Sequence, residues 1–429
     1  MISFDIHRRS LLAAAALAAF AGMAGAALAD TEIVYASNLD PANNKDPRVA
    51  AQQKILEAFE KANPGVKVKV LVDPTQASYL RALKSKSASP DVVKVIGFGV
   101  PEYAATGSLE PLDDLVASEK IDENDWLVPL SKAKIDGHLY GLPLDYRIPI
   151  FIYRKSLLEV AGLQPPKTWD EACKISQALS KDGKIGYAVG VGAGGGLGGA
   201  QAFGELMFSS MATEGASDYF DATGTQFLVS EENFVRAAQT IKDFYTNCNV
   251  PTAALQFGYN EIHDGLRAGT VASATFGLYR FGAIVTAGAG DDLAWAPGPA
   301  YEPNGKQAVY GYVVALNKNS AHKDEAKKLI AFLGSPEAQA IALEGGEVVA
   351  RASVYKGGPY FETDAGKRQA AWSELIKERG FLPSYPLSLT AYNLALGEAL
   401  QRMVLRDATP KEAYEEVKSR YQRAMDQAQ

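Results

Sequence analysis

Segments typical of strands and of helices alternate along this chain, and this alternation limits the possible folds more than any other feature. Apolar residues at helical spacing predict a helix from Val49 to Ala62, which Asn63-Pro64-Gly65 ends because proline cannot continue a helix. Alternating Val and Lys from Val66 to Val72, and the apolar run from Asp91 to Ile96, predict strands. These β-α-β units predict an α/β fold in which helices cover largely parallel sheets.

The alternation continues to the carboxyl terminus. Thr168 is placed to cap a helix, with Glu171 three residues later as its capping-box partner. Further strands are predicted at Gly186 to Val191, Val271 to Phe276 and Val309 to Leu316, and further helices at Ser230 to Tyr245, from Ser335 onward and at Thr409 to Ala428.

The first 29 residues have the pattern of a secretory signal peptide. His7, Arg8 and Arg9 precede an apolar run, and Ala27-Leu28-Ala29 offers small residues at a cleavage site. We therefore expect export to the periplasm with cleavage after Ala29, while the arginine pair leaves the Sec and twin-arginine routes both open.

Length and charge limit the possible partners. Removing 29 of 429 residues leaves 400, more than one hydrophobic core usually serves, so two domains are expected. The chain has a formal net charge of −7, which argues against nucleic acid or an anionic membrane as the main partner. No later stretch is apolar enough for a membrane span.

The cysteines and histidines indicate neither a disulfide framework nor a metal site. Cys173 and Cys248 are the only cysteines, and in an exported protein they could pair. Cys173 stands in an amphipathic helical stretch, so we interpret it as a small buried apolar side chain. His138, His263 and His322 lack the spacing of metal ligands. No cofactor or metal is expected.

Four groups of segments occur in a characteristic order. The first is FEKANPGVKV from Phe59, and the second is SPDVV from Ser89 with PEYA from Pro101 and GSLEPLDD from Gly107. The third is DGHLYGLP from Asp136 with YRK from Tyr153 and PPKTWDEA from Pro165, and the fourth runs from YGY at Tyr310 to SPEAQ at Ser335. In this order and spacing the chain resembles the bacterial extracellular solute-binding proteins of the sugar type, which serve ABC importers.

This resemblance implies the two-lobed type II periplasmic-binding-protein fold. The lobes would comprise residues 30–143 with 295–338 and residues 148–292 with 343–429, joined near 143–147, 293–297 and 335–343. It also implies a non-enzymatic monomer that captures a carbohydrate or polyol between the lobes and delivers it to a membrane permease. Ligand binding would favour the closed form of a hinge.

Aromatic residues supply the flat apolar faces on which a sugar ring stacks. By resemblance, Tyr279 is the strongest candidate for such a ligand contact; the alternative is a half-buried structural tyrosine. Tyr310 and Tyr312 flank Gly311 at the start of a strand, and at least one of them should pack into the core. Tyr392 matches a late-helix aromatic.

The crossing segment Leu144-Asp145-Tyr146-Arg147 is the second candidate region. Asp145, Tyr146 and Arg147 are expected to face the ligand, and Arg147 offers a planar fork of donors to hydroxyls or an anion. The alternative is an ion pair between Arg147 and Asp145. Arg280 and Arg351 are further candidates, although each alone is better interpreted as a surface or ion-paired arginine.

Lobe 1 contributes the remaining candidates. Asn38 and Asp40 follow its first strand, where the resemblance implies hydrogen bonds to the ligand. Phe98, in Gly97-Phe98-Gly99, stands where many sugar-binding relatives have an acidic residue. The missing carboxylate and the three arginines make an acidic or phosphorylated sugar derivative the alternative ligand.

Other functions find no support in the sequence. Gly190 to Gly199 lacks the Lys-Ser/Thr ending of a phosphate loop, and no Gly-x-Ser-x-Gly nucleophile motif is present. Iron-binding proteins of this shape use adjacent tyrosines, which are absent here.

Overall fold

The fold is taken from a computed structural model. It describes residues 30–73, 77–191, 206, 207, 209–212, 219–285 and 290–428. The predicted signal peptide and most of the glycine-rich segment at 190–199 therefore lie outside the described residues. None of the helices in the described part of the chain is both long and apolar enough to cross a membrane.

Strands and helices alternate as the sequence predicts. The strands are β1 Thr31–Ser37, β2 Val66–Val72, β3 Val92–Ile96, β4 Leu109–Glu110, β5 Leu142–Pro143, β6 Pro149–Arg154, β7 Ser273–Gly277, β8 Leu293–Pro297, β9 Gln307–Ala308, β10 Tyr312–Asn317 and β11 Gly380–Phe381. The helices are α1 Pro47–Ala62, α2 Ala77–Lys84, α3 Val100–Ala105, α4 Asp113–Ser118, α5 Lys155–Val160, α6 Trp169–Leu179, α7 Glu231–Thr246, α8 Tyr259–Ala268, α9 Tyr279–Ile284, α10 Lys323–Leu333, α11 Pro336–Glu344, α12 Asp364–Arg379, α13 Leu389–Leu405 and α14 Pro410–Ala428.

Most strands lie in two main sheets, and β9 and β11 form a separate parallel pair. The first has the order β2-β1-β3-β10-β4, with β5 also pairing β10, and its strands β1, β2 and β3 are parallel. The second has the order β7-β6-β8, and its pairs are antiparallel. The sequence favours parallel strands here too, but β6 enters this sheet from the first and β8 returns toward it. A strand that leads away from the first sheet and a neighbour that leads back toward it run in opposite directions, as β6 and β8 do.

Hydrophobic clusters stabilise the two sheets, and one of them contains residues of both, among them Val92 of β3 and Ile150 of β6. A cluster around Phe59, Val92 and Leu329 packs helices α1 and α10 on one face of the first sheet. Tyr79 and Val95 belong to a smaller cluster on its other face. The second sheet packs against α6, α7, α13 and α14 through a third cluster. Two α/β layers of this kind are the architecture that the sequence predicts.

The segment after α10 stays with the first sheet. Helix α11 packs on α1, and the Leu127 amide donates to the Ala350 carbonyl at 2.8 Å. The sequence assigns part of this stretch to the third crossing and residues 343–429 to lobe 2. Later in that range, α13 and α14 pack on α7 in the third cluster. The lobe boundaries remain predictions.

Two local interpretations differ from the structure. Thr168 caps α6 as predicted, accepting the Glu171 amide at 3.3 Å, but the Glu171 carboxylate accepts the Lys167 amide rather than that of Thr168. Residues 186–191 do not form a continuous strand; Ala188 makes only an isolated bridge to Ala274.

Cys173 and Cys248 form a disulfide, so the interpretation of Cys173 as a free apolar side chain is wrong. The bond joins α6 to the end of α7, across 75 residues of sequence. Amphipathic spacing places Cys173 on the buried side of its helix, but it does not reveal that a partner from another helix lies there.

We expect the free energy of unfolding of the Cys173→Ser/Cys248→Ser double variant to be lower by about 2–4 kcal/mol, because a disulfide that closes a long loop restricts the unfolded chain. Urea unfolding of both proteins measures the loss. Dithiothreitol should lower the urea midpoint of the original protein and leave the midpoint of the variant unchanged. Equal midpoints for both proteins would contradict this role for the bond.

Candidate functional site

The crossing segment between the sheets is fixed by its backbone. The Arg147 amide donates to the Tyr310 carbonyl at 2.6 Å, and the Tyr310 amide donates back to the Arg147 carbonyl at 3.1 Å. Gly311 lies so close to the Asp145 carbonyl that a Cβ at this position would clash. The two chain segments that link the sheets therefore run side by side.

Arg147 lies where the two sheets meet. Its guanidinium carbon is 4.4 Å from the ring centre of Tyr279, which follows β7 of the second sheet. It is also 4.8 Å from the ring of Tyr312 at the start of β10 in the first sheet. Only 6% of Arg147 is exposed. We call Tyr279, Arg147 and Tyr312 the interlobe stack.

Carboxylates neutralise the cation of this stack. The Arg147 Nε lies 3.3 Å from Asp145 Oδ1, and its Nη2 lies 3.9 Å from Glu347 Oε2. Asp145 also accepts the Tyr312 amide at 3.0 Å. The sequence-based alternative for Arg147, an ion pair with Asp145, is thus present in the structure, although this does not test whether Arg147 also contacts a ligand.

Further cations extend the network into the first lobe. Arg48 Nη1 lies 3.8 Å from Glu347 Oε1, and Arg48 also pairs with Asp46 at 2.6 Å. The ammonium of Lys94 lies 4.9 Å from the ring centre of Tyr312. We call Asp46, Arg48, Lys94, Asp145, Arg147 and Glu347 the ion network; it contains three cations and three carboxylates.

Burial and neighbouring charges shift the pKa values of the network. Burial raises the pKa of Asp145 despite Arg147 nearby. Burial would also raise the pKa of Glu347, but Lys94, Arg48 and Arg147 together hold it below its usual value. Burial lowers the pKa of Lys94. Removing one of these buried charges would leave its partner uncompensated, which strongly destabilises the fold.

Aromatic rings from both sides gather beside the stack. Phe98 lies 6.5 Å from Tyr310 and 6.0 Å from Tyr385, measured between ring centres. Gly277, at the end of β7, permits Tyr310 and Tyr279 to lie close to the strand. A Cβ at this position would lie 2.6 Å from the Tyr310 hydroxyl and 2.7 Å from the Tyr279 ring.

A cavity of about 640 Å³ opens between the two lobes. Val100, Pro101, Asp145, Tyr146 and Val313 line it from the side of the first sheet, and Phe220–Ala222 and Phe381–Tyr385 line it from the other. Tyr146 is buried, and its hydroxyl donates to the Val128 carbonyl at 3.2 Å. The volume is in the range of small-molecule sites.

Asn38 and Asp40 follow β1 as predicted but differ in their surroundings. Within the described part of the chain, the buried Asn38 Oδ1 has no hydrogen-bond partner. Asp40 is exposed and accepts the Ala42 amide at 2.8 Å, as in a turn. The Asn38 acceptor is therefore unused within the described residues, whereas the Asp40 carboxylate supports its own loop.

The remaining candidates lie in different places. Arg280 lies 5.3 Å from the Tyr279 ring, measured from its guanidinium carbon, and so adjoins the interlobe stack. Arg351 is buried elsewhere in the first lobe, paired with Asp125 at 3.3 Å and stacked 4.3 Å from Trp126.

Tyr392 is buried in the second lobe, in contact with the rings of Tyr219, Phe220, Phe227 and Tyr421.

Sequence reasoning missed Lys94, Glu347 and Tyr385. A lysine inside the apolar strand Val92-Val93-Lys94-Val95 is a detectable signal, since such a charge needs a buried partner. Glu347 and Tyr385 give no comparable signal. Among the described residues, no group of three or more His, Cys, Asp or Glu side chains is placed to hold a metal ion.

Two α/β lobes that meet at a crossing segment and enclose a cavity define the class of two-lobed binding proteins. The family model for bacterial extracellular solute-binding proteins matches residues 42–340, and the chain belongs to this family. The family comprises solute-binding proteins rather than enzymes, which confirms the predicted family, fold class and non-enzymatic role.

Relatives and solved structures agree with this assignment. The chain is 27% identical over 304 residues to the Sinorhizobium fredii protein named probable amino-acid ABC transporter periplasmic-binding protein y4oP, covering 68% of this chain and 66% of that protein. It is 24% identical to the mannitol-binding protein of Pseudomonas aeruginosa, covering 66% and 65%. The chain thus matches slightly less than two thirds of the length of these relatives.

The GacH receptor of Streptomyces glaucescens, solved unliganded and with acarbose, has the same fold, with a TM-score of 0.73 and 19% identity over 92% of this chain and 99% of that one.

Proposed function

We propose that this protein is the substrate-binding component of an ABC importer and that it captures a neutral sugar or polyol between its lobes. The observation that supports this most is the interlobe stack, in which Tyr279 from the second lobe and Tyr312 from the first enclose a charge-balanced Arg147. A ligand at this junction touches both lobes, and contact with both is what favours closure.

The site offers what a polyhydroxylated ligand needs. We assign the ring faces for the C–H side of a sugar to Tyr279, Tyr310 and Phe98, and an acceptor for a hydroxyl to Asn38 Oδ1; Phe98 and Tyr310 lie 6.5 Å apart between ring centres. Asp145 and Tyr146 line the interlobe cavity. A relative that is named a mannitol-binding protein supports the same ligand class.

The charge balance argues against the acidic or phosphorylated alternative. That alternative depends on Arg147, Arg280 and Arg351, but Arg147 is paired with two carboxylates and Arg351 with Asp125. A guanidinium whose charge is already neutralised in a buried network offers an anion little further stabilisation.

Export and delivery complete the proposal. The basic and apolar leader ending at Ala29 directs the chain to the periplasm, where the cysteine pair can oxidise. There the protein acts as a monomer that presents its closed form to a membrane permease. Lobe 1 is formed by the elements of the first sheet and lobe 2 by those of the second.

We expect neutral compounds such as mannitol, ribitol or maltose to raise the melting temperature, whereas glucuronate and glycerol 3-phosphate do not. Binding to the folded state alone contributes about 2.7 kcal/mol at a hundredfold excess over the dissociation constant. A thermal-shift screen of the chain from Asp30 onward measures this, and titration calorimetry supplies the affinity. Stabilisation by the anionic compounds alone would overturn the proposal.

A further inference from the structure

Glu347 lies at the centre of the ion network but outside the rings of the interlobe stack. It follows α11 and is held near Arg48 at 3.8 Å and Arg147 at 3.9 Å. Its side chain is 12% exposed. It also lines a small pocket of about 50 Å³ with Arg48, Lys94 and Asp145. A pocket of this size has room for one or two water molecules but not for a sugar.

Three cations of the network act on this one carboxylate, and together they hold its pKa low. Asp46 neutralises Arg48, and Asp145 neutralises one of the two remaining cations, Lys94 or Arg147. Glu347 supplies the third negative charge. Without it, the network would have an excess positive charge next to the junction of the lobes.

We propose that Glu347 determines the charge class of the ligand without contacting it. The carboxylate keeps Arg147 neutralised and oriented between Tyr279 and Tyr312, so that the site accepts neutral polyols and rejects anions. Glu347 is therefore a positioning residue. This inference rests on the proposed function for its neutral ligands, but its prediction about anions can be measured independently.

The charge difference would act strongly because the network is buried. Arg147, Asp145 and Lys94 are each no more than 6% exposed. Solvent screens charges poorly at this depth, so one missing carboxylate cannot be replaced by counterions as it would be at the surface. An anionic ligand that enters between the lobes would itself supply the missing charge.

The test uses Glu347→Gln, which keeps the size of the side chain and removes its charge. We expect glucuronate and inorganic phosphate to bind this variant at least tenfold more tightly than the original protein. The neutral ligand should bind more weakly. Titration calorimetry and thermal shift measure both, and circular dichroism checks that the variant is folded.

Matched variants separate charge from structure. Glu344→Gln removes an exposed carboxylate three residues earlier and should behave as the original protein. Glu347→Gln/Lys94→Met restores equal numbers of cations and carboxylates and should lose the anion binding again. If Glu347→Gln does not fold, Asp145→Asn makes the same charge change and keeps an oxygen for the Tyr312 amide.

Folded Glu347→Gln that binds no anion, or a double variant that binds anions as well as the single one, would overturn this role for Glu347. Failure of the proposed function gives a different result. In that case the original protein binds none of the neutral compounds, while the gain of anion binding in Glu347→Gln is still observed.

Discussion

Replacing Asp145 by alanine is expected to lower the free energy of unfolding by about 3–5 kcal/mol, the usual effect of removing one partner from a buried ion pair. Asp145 is 2% exposed and compensates Arg147 at 3.3 Å. Its carboxylate also accepts the Tyr312 amide, so the variant leaves a buried donor without a partner. Urea unfolding followed by circular dichroism measures the loss.

Two further proteins make this test specific. Asp291→Ala removes an exposed aspartate from a turn and should change stability by less than about 0.5 kcal/mol. The Asp145→Ala/Arg147→Met double variant contains no unpaired guanidinium. Its loss of unfolding free energy should therefore be smaller than the sum of the losses in the two single variants. A purely additive result would show that Asp145 and Arg147 do not stabilise the fold as a pair.

The α/β architecture could be predicted because each element has a local signal. The helix over Pro47–Ala62 and the strand over Val66–Val72 lie where apolar periodicity and Asn63-Pro64-Gly65 place them. Thr168 and Ser230 cap their helices through the predicted side chains. These features depend on neighbours within about four residues, which one sequence displays directly.

Contacts between distant segments were harder to predict. Two cysteines in an exported chain left the pairing of Cys173 and Cys248 open, and helix periodicity could not decide it, since it describes one helix and not what packs against it. The Arg147–Asp145 pair was foreseeable from their two-residue spacing, whereas Glu347 joins the same network from 200 residues away. Convergence of this kind is set by the fold.

Convergence of the candidate residues was predicted best on the crossing segments. Tyr279, Arg147, Tyr310 and Tyr312 converge because β7 ends beside the start of β6, and Arg147 pairs with Tyr310. Arg351 and Tyr392 were chosen by likeness of sequence position, and their side chains point into the interiors of the two lobes. Position along the chain does not fix which face of an element a residue occupies.

Replacing Tyr279 by alanine is expected to weaken binding of the neutral ligand by about 10–150-fold, corresponding to the roughly 1.5–3 kcal/mol that burial of an aromatic side chain contributes. Tyr279 contacts Arg147 at 4.4 Å from the second lobe, so its loss removes both a ring face for the sugar and a contact that joins the lobes. Titration calorimetry with the neutral compound found by thermal shift measures the affinity.

Tyr301 provides the matched control for this prediction. Its ring lies 4.1 Å from the guanidinium carbon of Arg236, so Tyr301→Ala also removes a tyrosine–arginine stack, but one away from the crossing segment. We expect its ligand affinity to stay within threefold of the original, a difference of about 0.7 kcal/mol. Tyr279→Phe keeps the ring and should retain most of the binding. Equal affinity in Tyr279→Ala and Tyr301→Ala would show that Tyr279 stabilises the lobes without contributing to the ligand site.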